Sequence, residues 1–505
     1  MHPRLRFWLI VALGATAGVV VSFGLAQETY ALAGLLTLLI GWLLLEWSGG
    51  PRPEAWVLAA ALFGYIVGNR GFAQLLLTPN FPLLPAEAAL LVGTLAVFLR
   101  MAFRQTAALV RDSLNLALLG WILLGAARLW PDVRIHGFVA LRDFATVYYA
   151  LFFFIAQSVA SHAASARLLR RTVLAAAIIL PFAYFIFNRF PDFFLQTLQL
   201  RGVPLLYYKD DLVAANFFAG FFLLQTVPSW PLIPRTLCAL AAYASAFAIN
   251  SSRAAIVGLL VTSGWWSVAR RWNAWKFQAL AAPLGLVALA LVALLQARDF
   301  RESRLYTLYE HAASMVDFTG TGRYTTEDRR YVGDNNRFRL AWWGAVAEET
   351  RTNGPVFGLG FGADLTSRFL RTYEFDLGDE FSTRSPHSVL FTVLGRMGLT
   401  GLIAFLAIIG AMALRTLRLA RLARTDNTTL IPLGWWSVAW VTLVSGCFGV
   451  VLEGPMGAIV FWTSLGLANA TGTAALAAAA EKSSAAAPEI DPAPEATLPT
   501  ASRSA

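Results

Sequence analysis

Apolar stretches long enough to cross a bilayer follow one another along most of this chain, which removes nearly every soluble fold from consideration. They fall near residues 6–26, 30–47, 54–69, 83–99, 113–127, 143–160, 172–188, 212–228, 231–249, 254–268, 278–296, 387–414, 432–452 and 456–474. A helix of roughly 20 residues spans the hydrocarbon core, and in lipid only helices and closed barrels satisfy their own backbone. The pattern therefore predicts an all-α polytopic membrane protein with 12 to 14 transmembrane helices. With 57% hydrophobic and 14% charged residues in 505, the composition agrees.

Charge placement orients these spans. With the N-terminus inside, one set of loops receives Arg52; Arg100, Arg104 and Arg111; Arg167, Arg170 and Arg171; Arg235; Arg270, Arg271 and Lys276; and Arg415, Arg418, Arg421 and Arg424. The densest basic clusters thus share one side, as cytoplasmic loops do. Both termini are expected in the cytoplasm. The formal charge of +10 is dispersed in these clusters, which is topology and not a nucleic-acid groove. Met1 to Arg6 and the apolar residues after it lack a small-residue cleavage site before Gln27-Glu28, and read as a first transmembrane helix. Cys238 and Cys447 lie in apolar runs and imply neither a disulfide framework nor a zinc site.

The expected organisation is transmembrane helices over 1–297, a periplasmic loop subdomain over 298–386, C-terminal transmembrane helices over 387–476 and a disordered cytoplasmic tail over 477–505. The loop carries 14 acidic residues and 12 Arg, so it is nearly neutral and no general polyanion trap. Residues 128–142 and 189–211 are expected as shorter outer loops. Within the large loop, Leu340 to Thr350 has the spacing of a short amphipathic helix with Leu340, Trp343, Val346 and Ala347 on one side. Asn353-Gly354-Pro355 ends it. Gly358-Leu359-Gly360-Phe361-Gly362 lacks the strand and wider fingerprint of a nucleotide loop, and predicts close backbone approach at a turn.

Of five histidines, His2 and His162 fall on the cytoplasmic side, leaving His136, His311 and His387 facing out. His387 follows Ser385-Pro386 at the mouth of a span, held by a rigid element yet reachable from water. Arg253 lies in the turn Asn250-Ser251-Ser252-Arg253-Ala254-Ala255 on the same side, where it pairs with an anion or snorkels to lipid headgroups. Arg337 and Arg339 precede the Trp342-Trp343 pair. Arginine suits bidentate phosphate recognition, and two from separate segments would clamp a diphosphate; solvation at the surface is the other reading of each.

The order Ser252-Arg253-Ala254, Arg339 four residues before Trp343, Pro355 with Gly358 and Gly360, and His387 opening a span with Gly395, Gly398 and Gly401 resembles the O-antigen ligase and polymerase superfamily of bacterial inner-membrane glycan transferases. The resemblance covers about residues 210 to 470. It departs at Ala254, where the family commonly has Gly, and at Ser388, where it has Asn beside the histidine.

The resemblance implies a GT-C-like architecture and a metal-independent, inverting transfer at the periplasmic face, with no cofactor. The glycan would leave undecaprenyl diphosphate for the lipid A core in a ligase, or for another lipid-linked repeat unit in an O-antigen or exopolysaccharide polymerase. It also implies that Arg253 and Arg339 hold the diphosphate, with Arg337 either assisting or facing water, and that His387 is the general base. The competing class is a transporter or flippase for lipid-linked glycans. Asp143, Arg396 and Glu453 are candidate intramembrane charges for it, although Glu453-Gly454-Pro455 also reads as an outer turn, and no internal repeat supports it.

Overall fold

The computed structural model describes residues 40–76, 83–103, 109–227, 233, 236–238, 240–242, 245, 249, 253–269, 317, 327–366, 369 and 384–485. Eight helices among them are long and apolar enough to cross a membrane: α1 (Pro53–Ala73), α2 (Pro85–Ala102), α3 (Ser113–His136), α4 (Phe138–Ala160), α5 (Ala163–Arg189), α9 (Val389–Leu422), α10 (Asn427–Cys447) and α11 (Pro455–Lys482), which continues to Ala485. Two shorter apolar helices, α6 (Asp210–Leu224) and α7 (Arg253–Val268), pack with them, and α8 (Glu327–Asn353) lies between α7 and α9 in sequence. The expected spans at 6–26 and 278–296 lie outside the described residues, as do most of those at 30–47 and 231–249.

The protein is an all-α polytopic membrane protein. Its large exposed apolar side chains, such as Leu91, Leu95 and Phe98 on α2, Phe182 and Phe185 on α5, and Ile403 and Leu414 on α9, give the outward faces that lipid requires. Helix α10 is at the centre, packed against α6, α7 and α11 and buried nearly all round. Local chemistry sets the starts. Pro53 and Pro85 occupy first-turn positions. The Asp112 carboxylate accepts the Asn115 amide at 2.8 Å and caps α3.

Three boundaries differ from the sequence expectation. Residues 128–142 are helical rather than a loop: α3 runs on to His136 and α4 begins at Phe138, with a turn only at Gly137 (φ 56°). The polar residues that suggested a loop are satisfied within the fold, because Arg128 and Asp132 pair at 3.0 Å. Helix α11 extends nine residues beyond the expected start of the tail at 477, through an alanine-rich stretch of high helix propensity; 486–505 lie outside the described residues.

The third difference concerns α8, which is longer than Leu340–Thr350 and turned differently. Its buried side is Trp342 and Val346, packed with Leu365 and Phe369, whereas Leu340 is exposed. The chain after Gly354 folds back on that face. Trp343 stacks on Phe391 of α9 at 5.1 Å.

Two interrupted helices shape one end of the bundle. In α1, a π-helical turn over Gly64–Gly68 precedes buried Asn69 (φ 52°), whose side-chain oxygen accepts the Lys209 amide at 2.8 Å. Gly71 donates to the Tyr207 carbonyl at 3.0 Å. The tip of α1 is thereby stitched to the segment that follows the hairpin of β1 (Gln199–Leu200) and β2 (Val203–Pro204).

In α9 the break is at Gly398 (φ 66°, ψ −159°). The loop 355–360 enters it as a strand would. The amides of Leu359 and Gly360 donate to the carbonyls of Gly395 and Arg396 at 2.7 and 3.2 Å, and those of Leu399 and Thr400 donate to Pro355 and Val356 at 3.0 and 3.1 Å. A Cβ on Gly358 (φ 77°) would lie 2.5 Å from the α9 backbone, which is the close approach expected of this glycine run.

Candidate functional site

His387 sits just before α9, in the left-handed region (φ 54°) that histidine enters more readily than most residues. The indole of Trp343 donates to the Pro386 carbonyl at 2.7 Å, and Trp342 meets the imidazole edge to face at 5.6 Å. Both tryptophans of α8 thus fix the histidine, one through backbone and one through the ring. Burial pushes the imidazole down to about 4, and the charges of Arg339 and Lys209 act in the same direction, against the opposing pull of Asp211. The ring is therefore neutral at pH 7, and the same depression makes it a weaker base than an ordinary imidazole.

One side of His387 opens on a cavity of about 480 Å³. Five cations line it, Arg70, Arg142, Lys209, Arg384 and Arg396, together with the carboxylates of Asp143 and Glu453. Arg70 is held over the Tyr207 ring at 4.9 Å. Lys209 donates to the Val450 carbonyl at 2.7 Å and pairs with Asp211 at 3.4 Å. Both owe their place to the unwound tip of α1 and the segment joined to it.

Asp143, in α4, is the hub of the opposite wall. It accepts Arg396 at 2.8 Å and the Gly362 amide at 3.0 Å, with Arg384 at 3.8 Å. Arg396 also donates to the carbonyls of Gly360 and Ala363, and Arg384 to that of Gly362 at 2.6 Å. Asp132 accepts the Phe361 amide at 2.7 Å. The glycine run is therefore clamped by carboxylates from α3 and α4 and by guanidinium groups on either side of His387 in sequence.

Glu453 occupies the turn between α10 and α11, as the sequence suggested, and accepts Ser385 Oγ at 2.9 Å, Thr392 Oγ1 at 3.0 Å and the Val451 amide at 3.1 Å. Burial raises its pKa, against the lowering effect of these hydrogen bonds.

The sequence candidates divide into two sets. Arg253 donates to the Asn336 side chain at 3.1 Å, and Asn336 lies one turn before Arg339 on α8. Arg339 is near enough to depress the His387 pKa, and Arg253 reaches the same helix one turn earlier, at Asn336. Arg337 is exposed. None of these three arginines lines the cavity; Ser251 and Ser252 lie outside the described residues.

Sequence reasoning missed Arg70, Arg142, Lys209 and Arg384, which carry no local motif. It did single out Asp143, Arg396 and Glu453, but as charges of a transporter. The first two form an ion pair beside His387, and the third is bonded to the segment that carries His387.

Residues 238–406 match the family model described as O-antigen ligase. The match covers about a third of the chain and supports a likeness to the O-antigen ligase superfamily over that segment. No curated protein matches the chain significantly. The O-antigen ligase match contains Arg253, Arg337, Arg339, Arg384, His387 and Arg396, whereas Arg70, Arg142, Lys209 and Glu453 lie outside it. Ligases and polymerases of O-antigen share this domain, so the coarse activity it supports is that of a membrane glycan transferase.

Proposed function

We propose that the protein transfers a glycan from undecaprenyl diphosphate to a lipid or sugar acceptor at the periplasmic face of the bacterial inner membrane, by a metal-independent inverting displacement. The lipid A core is the acceptor in the ligase reading. The observation that carries this proposal is a half-buried histidine, fixed by Trp342 and Trp343 at the edge of a cavity lined by arginines, inside the segment that matches the O-antigen ligase family.

Arg253 and Arg339 hold the donor diphosphate and stabilise the charge that develops as it leaves. Arg337, exposed on the same helix, assists from the aqueous side. His387 accepts the proton of the attacking sugar hydroxyl while its oxygen bonds to the anomeric carbon. The bond from that carbon to the diphosphate oxygen breaks, and its electron pair leaves with the diphosphate. A general base of this kind contributes roughly 10²- to 10⁴-fold.

A deletion strain decides between the two forms of the reaction. Glycan polymers missing from the lipid A core but retained on the carrier lipid identify a ligase, and single repeat units identify a polymerase. A glycan profile unchanged on both would overturn the transferase reading. Accumulation of lipid-linked repeat units on the cytoplasmic face would point to the transporter class instead.

A further inference from the structure

His387 has cations on two sides, and a transfer reaction has two substrates. On the α8 side stand Arg339 and, through Asn336, Arg253. On the other side is the cavity with Arg70, Arg142, Lys209, Arg384 and Arg396. The base of a displacement at the anomeric carbon lies on the acceptor's side of the reacting centre, because it must reach the attacking hydroxyl. If the diphosphate is held by Arg253 and Arg339, the hydroxyl arrives from the cavity.

We infer that this cavity is an acceptor subsite and that the acceptor saccharide carries an anionic group, phosphate or carboxylate, which Arg70, Lys209 and Arg384 bind close to His387. The inference rests on the donor placement proposed above. Three features of the cavity support it. Its volume, about 480 Å³, lies within the range of roughly 300 to 1,000 Å³ that small-molecule sites occupy. Five cations face Asp143 and Glu453 there, with Asp211 3.4 Å from Lys209, and Asp143 is already shared by Arg142, Arg396 and Arg384, so the cations still outnumber the carboxylates. Such an excess within low-dielectric walls favours an anionic occupant.

The third feature is construction. Arg70 and Lys209 reach the cavity through an interrupted helix, a buried Asn69 with positive φ and a backbone stitch between distant segments. All of these lie outside the O-antigen ligase match. Arg70 and Lys209 thus come to the cavity from the part of the chain that the family match does not cover, while Arg384, His387 and Arg396 come from within it, which suits a subsite that adds specificity to a shared reaction centre.

The test uses the full chain in nonionic detergent, saturated with undecaprenyl diphosphate and titrated calorimetrically with inorganic phosphate, glucuronate and, as the neutral comparison, glucose. Phosphate or glucuronate is expected to bind alongside the lipid while glucose does not, and whichever anion binds names the source of the charge. Lys209→Gln, which keeps a donor for the Val450 carbonyl, and Arg70→Gln should each weaken that binding at least tenfold. Arg339→Gln should weaken the lipid and spare the anion.

The inference is overturned if the anion's apparent Kd rises in proportion to the lipid concentration, since the cavity would then be the donor's own site. It is also overturned if neither anion binds, or if Lys209→Gln and Arg70→Gln bind as the wild type does. Lys209-dependent anion binding by a protein that does not bind undecaprenyl diphosphate would sink the donor placement and leave the cavity as an anion site.

Discussion

The two ends of the bundle contain the same kinds of residue in opposite arrangements. From the break at Gly398 to Arg415 helix α9 advances seventeen residues, about 26 Å at helical rise. At the far end, Arg415 pairs with Asp112 at 3.1 Å and donates to Asn469 and to Thr473 at 3.0 Å. Asn469 in turn donates to Asp112 at 3.1 Å and Gln157 at 2.8 Å, and Gln157 bonds Asn115 at 2.9 Å. This network joins α3, α4, α9 and α11 to one another through side-chain bonds that pair its charges with one another.

At the near end, guanidinium and carboxylate groups of α4 and α9 surround an open cavity with a neutral histidine at its edge. Buried charge within a membrane protein marks either a structural lock or a site. The cavity beside His387 is what marks the near end as a site.

The comparison predicts opposite phenotypes. Arg415→Ala leaves Asp112 and Asn469 buried without their cation and should cost about 3–5 kcal/mol of stability. It should lower the thermal unfolding temperature sharply while transfer per folded molecule stays near wild type. A loss of transfer without a loss of stability would place Arg415 in a functional pathway and end the distinction.

At the other end, Arg339→Lys should retain the fold and still reduce kcat/KM for the lipid-linked donor by roughly 10- to 100-fold, because a point charge does not reproduce a bidentate fork. Full activity in the lysine variant would show that the clamp geometry is wrong. Gly358→Ala should fall between the two classes. Its positive φ and the 2.5 Å approach to α9 strain the docked loop by roughly 1–3 kcal/mol, so stability and turnover should decline together, as measured by unfolding and transfer on the same preparation.

The smallest effect is in pH. With His387 held down to about 4, it remains neutral through the range in which an ordinary histidine, near 6.5, takes up a proton. Transfer should be nearly flat from pH 7 to about 5 and fall only as the pH approaches 4, where protonation removes the acceptor of the hydroxyl proton. An acid limb centred near 6.5 would mean that His387 is neither buried nor near Arg339 and Lys209 in the working protein.

Helical spans, the termination of α8 at Asn353 and the tight approach at Gly358 to Gly362 were legible because each is a local pattern of hydropathy, proline or glycine. The family resemblance was legible because Arg253, Arg339 and His387 fall in order along one half of the chain. The cavity was not. Arg70 reaches it through a π-helical turn with no sequence mark, and Lys209 through a backbone bond to Asn69 from 140 residues away.

Arg142 looked like the end of a loop and Asp143 like an intramembrane charge of a transporter, because nothing local shows that Arg396 and the glycine run complete the environment of Asp143. The face of α8 was misread for a similar reason. Trp342 and Trp343 are equivalent as residues, and only the fold-back of 358–366 with Phe369 decides that Trp342 is covered by Leu365 and Phe369 while Trp343 turns to Phe391.

The central claim is that a neutral His387 at this cavity takes the acceptor's proton. It is tested most directly by transfer from an undecaprenyl-diphosphate-linked glycan with purified His387→Ala protein, with donor binding measured on the same sample. The account predicts that kcat falls by roughly 10²- to 10⁴-fold while the donor binds as it does to the wild type. A well-folded His387→Ala protein that turns over at the wild-type rate would contradict it.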